Sequence, residues 1–259
     1  MLKDNELIRV AKLKVSVKRK AKVILNDISF NCNKSEILTI LGKNGEGKTT
    51  LALSLTKLLN PHIYTIEGKV YFKNDNLLDL DDENLQEIRR DKIGYILQNP
   101  FSAFNPIYKL KDQFNEIRKL KNIPFEKFIQ LMNDLELKNY EQIFNKYPFE
   151  LSGGMLQRLS AVRILVSNPE LIIADEPTSA LDRPIANQLL NLFKKYVKEQ
   201  KGTLIFITQD FSIAESFSDK IAFLSNGSLI HFTEKDNLFN QTKHIEVNLL
   251  LNSYKQLKV

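Results

Sequence analysis

The stretch GKNGEGKTT, residues 42–50, decides how the rest of the chain is read. It fits the pattern G-x-x-x-x-G-K-[ST], with Gly42, Gly47, Lys48 and Thr49 at the fixed positions. Gly45 and Gly47 allow backbone N–H groups to turn inward around phosphate oxygens. A helix starting there presents the positive end of its dipole to the same anion. Lys48 places a cation on the β- and γ-phosphates, and the Thr49 hydroxyl can ligate Mg²⁺. The flanks supply the context. Glu36–Leu41 is a short apolar strand, and Thr49–Leu59 has helical spacing (Leu51, Leu55, Leu58, Leu59) that stops at Pro61. Strand, glycine loop and helix in succession separate a phosphate loop from a chance glycine turn with an exposed lysine.

Outward from this loop the chain reads as α/β. On the N-terminal side, Ile8–Val17 and Val23–Cys32 alternate apolar and polar residues around a basic turn, Lys18–Lys22, as a strand pair with one solvated face does. On the C-terminal side, residues 66–72 read as a strand, Asp79–Arg90 as a charged helix, and Ile93–Leu97 as a buried strand ending at Gln98. Residues 99–110, with two prolines and three aromatics, read as an ordered, anchored loop. Lys111 to Asn168 is helical throughout, and Phe125, Phe128, Ile129, Met132 and Leu135 form one core-facing stripe. Leu171–Ala174 and Thr203–Thr208 are buried strands with the helix Pro184–Gln200 between them. Residues 221–232 form a hairpin about Asn226-Gly227, and 234–259 are weakly helical and polar. No internal repeat or linker divides the chain; the helical stretch is an insertion between sheet segments.

Composition narrows the class. The 259 residues are 43% hydrophobic and 26% charged, ordinary globular usage that excludes bulk disorder and a collagen-like repeat. Cys32 is the single cysteine, so no internal disulfide forms and a reducing compartment is expected. The longest apolar runs are far short of the about 20 residues that a helix needs to span a bilayer. Charges in MLKDNELIRV fall where a signal peptide has its apolar stretch. The net charge of +6 suits an acidic partner such as a nucleic acid or a membrane surface. However, the basic residues are scattered outside Lys18-Arg19-Lys20 and 109–121, and Lys, Asn and Ile are abundant together, which fits codon bias better.

Two further stretches carry chemistry. In LIIADEPTSALD (171–182), apolar residues deliver Asp175 and Glu176 at a strand's carboxyl end, where open α/β sheets bind ligands. Asp175 would hold Mg²⁺ and Glu176 would polarise the attacking water; taken alone, the pair equally fits a strand ending in two solvated carboxylates. In LSGGMLQR (151–158), Ser152, Gly153 and Gly154 open a helix whose free N–H groups face a second anion site. Ser152 also fits a plain helix N-cap. One nucleotide needs only one γ-phosphate contact set of this kind, so two phosphate-binding helix starts in one chain predict a dimer in which each second site closes on the partner's nucleotide.

The phosphate loop, Gln98 after a strand, LSGGMLQR, LIIADE and the loop Ser179–Asp182, in that order, resemble the ATP-binding subunits of ABC transporters over nearly the whole chain. YILQNPFSAFNP (95–106), LSGGMLQR and IIADEPT resemble the peptide/nickel importer branch, and the nickel-import ATPases especially. The tail 238–251 is similar to a worn form of that branch's terminal segment, with Lys243 and His244 persisting. The resemblance implies a P-loop NTPase fold: a RecA-like parallel-sheet core with an antiparallel β subdomain (about 1–98 and 169–232), an inserted helical subdomain (about 99–168) and a short tail (233–259). It implies that Gly42, Lys43, Asn44, Gly45, Glu46, Gly47, Lys48, Thr49 and Thr50 bind the ATP phosphates. Thr49, Gln98 and Asp175 would surround Mg²⁺, with Glu176 as the catalytic carboxylate. Ser152, Gly153, Gly154 and Gln157 would meet ATP on the partner subunit, with Asp182 at the dimer interface. Phe101, Phe104 and Tyr108 would either line the groove for a permease's coupling helix or pack the helical core.

Two departures bear on activity. The family's switch histidine is replaced by Gln209 in ITQD. Glutamine donates a hydrogen bond but carries no charge. Losing one positioned donor typically costs about 2.7–4 kcal/mol, and exchanging it for another donor costs less, so a slow or asymmetric site is expected. The aromatic residue that often stacks on adenine is missing from Lys14–Lys22, leaving Val17, Arg19 or another residue to cover the base. The function expected is ATP hydrolysis that energises an importer for nickel, another metal complex or peptides. The chain would work peripherally at the cytoplasmic face of the cell membrane with a second, probably different, ATPase subunit and two permeases, served indirectly by an extracytoplasmic binding protein. The alternatives are a weakly catalytic ATP-binding partner subunit and a soluble ABC ATPase acting on nucleic acid or the ribosome. The second lacks support from any coiled-coil insertion or duplicated ATPase unit, and no nucleic-acid partner is expected.

Overall fold

The computed structural model describes residues 5–19, 22–237, 245 and 247–249. β1 (Glu6–Val17) and β2 (Lys22–Asn33) pair antiparallel, with Val10 opposite Phe30. β3 (Ile37–Leu41) leads through the glycine loop into α1 (Lys48–Leu55). β4 (Tyr64–Phe72) returns to pair with β1, and the two-residue β5 (Asp75–Asn76) closes this sheet in the order β2-β1-β4-β5. α2 (Asp82–Asp91) and β6 (Ile93–Ile96) follow. Residues 100–167 then carry helices alone: a 3₁₀ turn at Pro100–Ala103, α3 (Leu110–Lys121), α4 (Phe125–Asp134), α5 (Tyr140–Phe144), a second 3₁₀ turn at Pro148–Glu150 and α6 (Gly153–Ser167). The chain ends through β7 (Leu171–Asp175), α7 (Arg183–Lys198), β8 (Thr203–Thr208), α8 (Phe211–Phe217), β9 (Lys220–Ser225) and β10 (Ser228–Glu234).

The second sheet has the order β10-β9-β3-β8-β7-β6, parallel except for the edge strand β10. Its central strands are buried on both faces, which is why they read as continuous apolar runs. Along β7 and β8 the side chains alternate between two cores. Ile172, Ala174, Leu204 and Phe206 point into the core shared with α6, α7 and the helical segment. Leu171, Ile173, Ile205 and Ile207 point into the core shared with α1, α2 and the antiparallel sheet. This sandwich fixes the carboxyl ends of β3, β6, β7 and β8 side by side, and the phosphate loop, Gln98, Asp175 and Gln209 all leave from those ends.

Several boundaries differ from expectation for tertiary reasons. The first helix stops at Leu55, not Leu59, because Arg89 of α2 donates to the Thr56 carbonyl at 2.8 Å and also to that of Lys57, and Lys57 turns left-handed at φ 54. The charged helix starts later than expected, with Asp81 capping it by accepting from Asn84 N–H at 2.9 Å. Ile129 is not part of the core stripe. It sits about 100° round α4 from Phe128, and Phe128, Met132, Leu135 and the partly buried Leu131 face the core instead. α8 and β5 were not foreseen, being too short to show a period. Phe104 is buried, whereas Phe101 and Tyr108 are exposed. Val247 packs on Leu41, Ala214, Ile221 and Phe223, while Lys243 and His244 lie outside the described residues. Among the described residues, no helix is long and apolar enough to cross a membrane.

Phe114 sits at the centre of the helical segment, with ring centroids 6.2, 5.7 and 5.3 Å from Phe104, Phe128 and Phe144. Phe114→Ala is expected to lower unfolding free energy by about 3–5 kcal/mol. The check is an earlier urea midpoint at unchanged slope.

Candidate active site

The phosphate loop is bent by two residues in left-handed backbone, Gly45 at φ 87 and Gly47 at φ 97. A side chain at Gly47 would also strike Leu25, its Cβ lying 2.9 Å from that residue's Cδ2. The loop therefore keeps its N–H groups free of side-chain cover and delivers them to the N-terminus of α1. Lys48 is buried at 6% exposure. Its ammonium donates to the carbonyls of Gly42 at 2.8 Å and Lys43 at 3.1 Å and to Asn44 Oδ1 at 3.5 Å. It also faces Glu176 Oε1 at 3.3 Å. A cleft of about 770 Å³ opens over this loop.

β7 brings the carboxylates to it. Both oxygens of Asp175 are buried without a hydrogen-bond partner among the described residues. Burial pushes this carboxyl's pKa up, against the pull of the Thr49 hydroxyl and the Lys48 charge. Glu176 is raised as well, by burial first, with Lys48 pulling down and Asp175 pushing up. Glu176 has a left-handed backbone at φ 48, a costly position for a residue with a Cβ. It is pinned there from both sides: its N–H donates to Ile207 O of β8 at 2.9 Å, and its carbonyl accepts from Ser179 Oγ at 2.9 Å. Thr208 Oγ1 donates to Glu176 Oε2 at 3.5 Å. On the next strand the Tyr95 phenol is buried without a partner, and burial and Asp175 hold it neutral. Thr49 Oγ1 donates to Gln98 Oε1 at 3.4 Å, which brings together two of the three residues expected to surround a cation. Unpartnered carboxylate oxygens beside a hydroxyl and an amide carbonyl form an all-oxygen donor set that fits Mg²⁺.

The other expected residues are placed less simply. Ser152 caps α6 by accepting from Met155 N–H at 3.3 Å. Gly154 lies against the loop after Glu176, where an added Cβ would come 3.0 Å from Ala180 O. None of Ser152, Gly153 and Gly154 lines the cleft of this chain. Gln157, expected to meet the partner's ATP with them, is instead fully buried in α6, with neither amide atom partnered. Residue 157 lies one turn into a helix that is packed on several sides, so its side chain points inward. Asp182 is exposed and caps α7, accepting from Ile185 N–H at 3.1 Å. Gln209 is exposed and lines an adjoining cavity with Gly42, Lys43 and Glu46, not the phosphate cleft itself. Val17 and Arg19 are not in the cleft wall. Lys22, Val23 and Ile24 at the start of β2 form it, with Val23 44% exposed, and Asn226 and Gly227 complete it. No motif marks these five residues. Only the hairpin signal at Asn226-Gly227 was legible, without its location.

A model of the ABC transporter family matches residues 25–179. The oligopeptide transport ATP-binding protein OppD of Lactococcus lactis subsp. cremoris (strain SK11) is 33% identical over 232 residues, 88% of this chain and 69% of that protein. The metal-staphylopine import system ATP-binding protein CntD of Staphylococcus aureus (strain NCTC 8325 / PS 47) is 31% identical over 239 residues, 90% of this chain and 88% of that one. Among solved structures, the dimeric post-hydrolysis state of the ATP-binding cassette MJ0796 bound to ADP and Pi superposes with a TM-score of 0.77. It is 28% identical, covering 88% of this chain and 98% of that one.

The buried acids set the sign of a pH effect. A carboxyl raised in the folded state binds protons there that the unfolded chain has already released. The metal-free protein should therefore lose stability as pH rises from the ordinary carboxylate range through the raised pKa values of Asp175 and Glu176. Asp175→Asn should flatten that slope and raise the melting midpoint at neutral pH by a few degrees in EDTA. Calorimetry across pH checks both.

Proposed function

The chain belongs to the ABC transporter family, and on that premise we propose that it is the ATP-hydrolysing subunit of an importer whose cargo is a peptide or a metal complex. The observation that carries this reading is the meeting of Lys48 and Glu176 in one cleft, with the buried Asp175 carboxyl next to them under the pull of Thr49 and Lys48. In the described state Lys48 is satisfied by carbonyls of its own loop. A triphosphate offers it stronger acceptors, so the ammonium moves from those carbonyls to the β- and γ-oxygens. Thr49, Gln98 and Asp175 would hold Mg²⁺, which neutralises developing phosphate charge when bound. Glu176, freed from its ion pair as Lys48 turns to phosphate, accepts a proton from the attacking water. Its pinned backbone keeps the carboxylate aimed while the nucleotide changes.

Because Ser152–Gly154 stand outside the cleft, we assign them to ATP on a second subunit, with Asp182 near that interface. Residues 99–168 would act as a helical subdomain that meets membrane subunits. The exposed Phe101, Ile107, Tyr108 and Phe149 support a protein contact there. Peripheral placement at a membrane follows from those partners. The cargo rests on the relatives named for oligopeptide transport and metal-staphylopine import. The weakly catalytic partner is the second reading, favoured by the uncharged Gln209 in place of the family's switch histidine.

Single-turnover hydrolysis of radiolabelled ATP in the assembled transporter separates the two. Glu176→Gln in this chain alone should keep Mg·ATP bound and slow its hydrolysis by about a hundredfold or more. Gln209→His should speed it. An unchanged rate in Glu176→Gln favours the passive role, and uptake indifferent to Lys48→Ala rejects both readings.

A further inference from the structure

The β9–β10 turn, Asn226–Gly227, belongs to no nucleotide motif, yet both of its residues line the phosphate cleft. It is bonded both to the phosphate loop and to β2. Toward the phosphate loop, the Asn226 N–H donates to the Glu46 carboxylate. Toward β2, Gly227 O accepts from Asn26 N–H at 2.8 Å, and Ser228 Oγ donates to Asn26 O at 3.3 Å. The turn also packs tightly on that strand: Gly227 is left-handed at φ 73, and a Cβ there would lie 2.1 Å from Ile24 O.

Glu46 stands between Gly45 and Gly47, the most freely jointed part of the loop. Little else restrains this crown. Nothing lies within 4 Å of where a Gly45 side chain would start, and the backbone bond from Glu46 N–H to Lys43 O is long at 3.4 Å. A carboxylate in a triphosphate cleft is unfavourable by charge alone. The backbone N–H that receives it gives it a compensating structural task, since hydrogen bonds to charged groups are the stronger ones.

We propose that the Asn226–Gly227 turn is a clasp that sets the shape of the nucleotide cleft, with Glu46 as the positioning residue that fastens the phosphate loop to it. The proposal rests on the cleft being the Mg·ATP site. The clasp holds the loop at a fixed separation from Lys22–Ile24, so that phosphate and base contacts are made together without ordering the loop on binding.

The test turns on sign. Affinity for trinitrophenyl-ATP with Mg²⁺ is measured by fluorescence for the native chain and for Glu46→Gln, Glu46→Ala and Lys48→Ala. Both Glu46 variants remove the same charge, but only glutamine keeps an acceptor for Asn226. The clasp predicts that Glu46→Ala binds about tenfold more weakly than Glu46→Gln. Equal affinities for the two, whether tighter or weaker than native, overturn it. Gly227→Ala should also bind more weakly. Native affinity in a folded Gly227→Ala protein removes the β2 half of the clasp, and if that variant does not fold the Glu46 pair decides alone. Failure of the nucleotide-site reading looks different: no binding by the native chain, or none lost in Lys48→Ala.

Discussion

The contact on which the rest of the structure depends is the buried facing of Lys48 and Glu176, 3.3 Å apart. The two residues come from different crossover units, one after β3 and one after β7, and meet only because β8 lies between those strands in the sheet. Each is nearly sealed from water, and a buried charge is tolerated only with partners. Lys48 has loop carbonyls as well as Glu176. Asp175 next door has no hydrogen-bond partner at all among the described residues. The site is thus held with an excess of acceptors over donors, an imbalance that a cation would offset.

The packing around the site links its parts. α6, capped by Ser152, is anchored twice by guanidinium groups. Arg158 donates to Leu135 O at 3.0 Å and to Gly154 O at 3.2 Å. Arg163 donates to Ala103 O and stacks over Phe104 at 5.9 Å. The loop that begins at Gln98 is therefore tied to the helix that begins at Ser152. Gly154 in turn abuts Ala180, in the loop that Ser179 closes onto Glu176. Static contacts thus run from the segment after Gln98 through α6 to the loop that holds Glu176.

Much of this was legible beforehand, unevenly. The pattern Gly42, Gly47, Lys48 and Thr49 needed only spacing, because those residue types suit one anion at one helix start. The strands Leu171–Ala174 and Thr203–Thr208 announced themselves because burial on both faces leaves their interiors, LIIA and LIFI, wholly apolar. Gln157 misled, because four residues of a signature read as one unit, whereas a helix turns each successive side chain by about 100° and sends this one inward. Ile129 failed for the same geometric reason. Lys22–Ile24 and Asn226–Gly227 carried no local signal as cleft residues, since nothing in a strand start or a hairpin turn specifies which loop it will face.

By itself the amino-acid order determined the phosphate loop, the acidic pair, the helix start at Ser152 and their sequence along an α/β chain. Those features are local: they depend on backbone freedom, side-chain chemistry and period over a few residues. The tertiary structure alone decided the ion pair between Lys48 and Glu176, the placing of Gln209 beside the phosphate loop, and the clasp from Glu46 through Asn226 to β2. Each joins segments more than a hundred residues apart, and such distances are closed by strand order and core packing, which no short stretch of sequence contains.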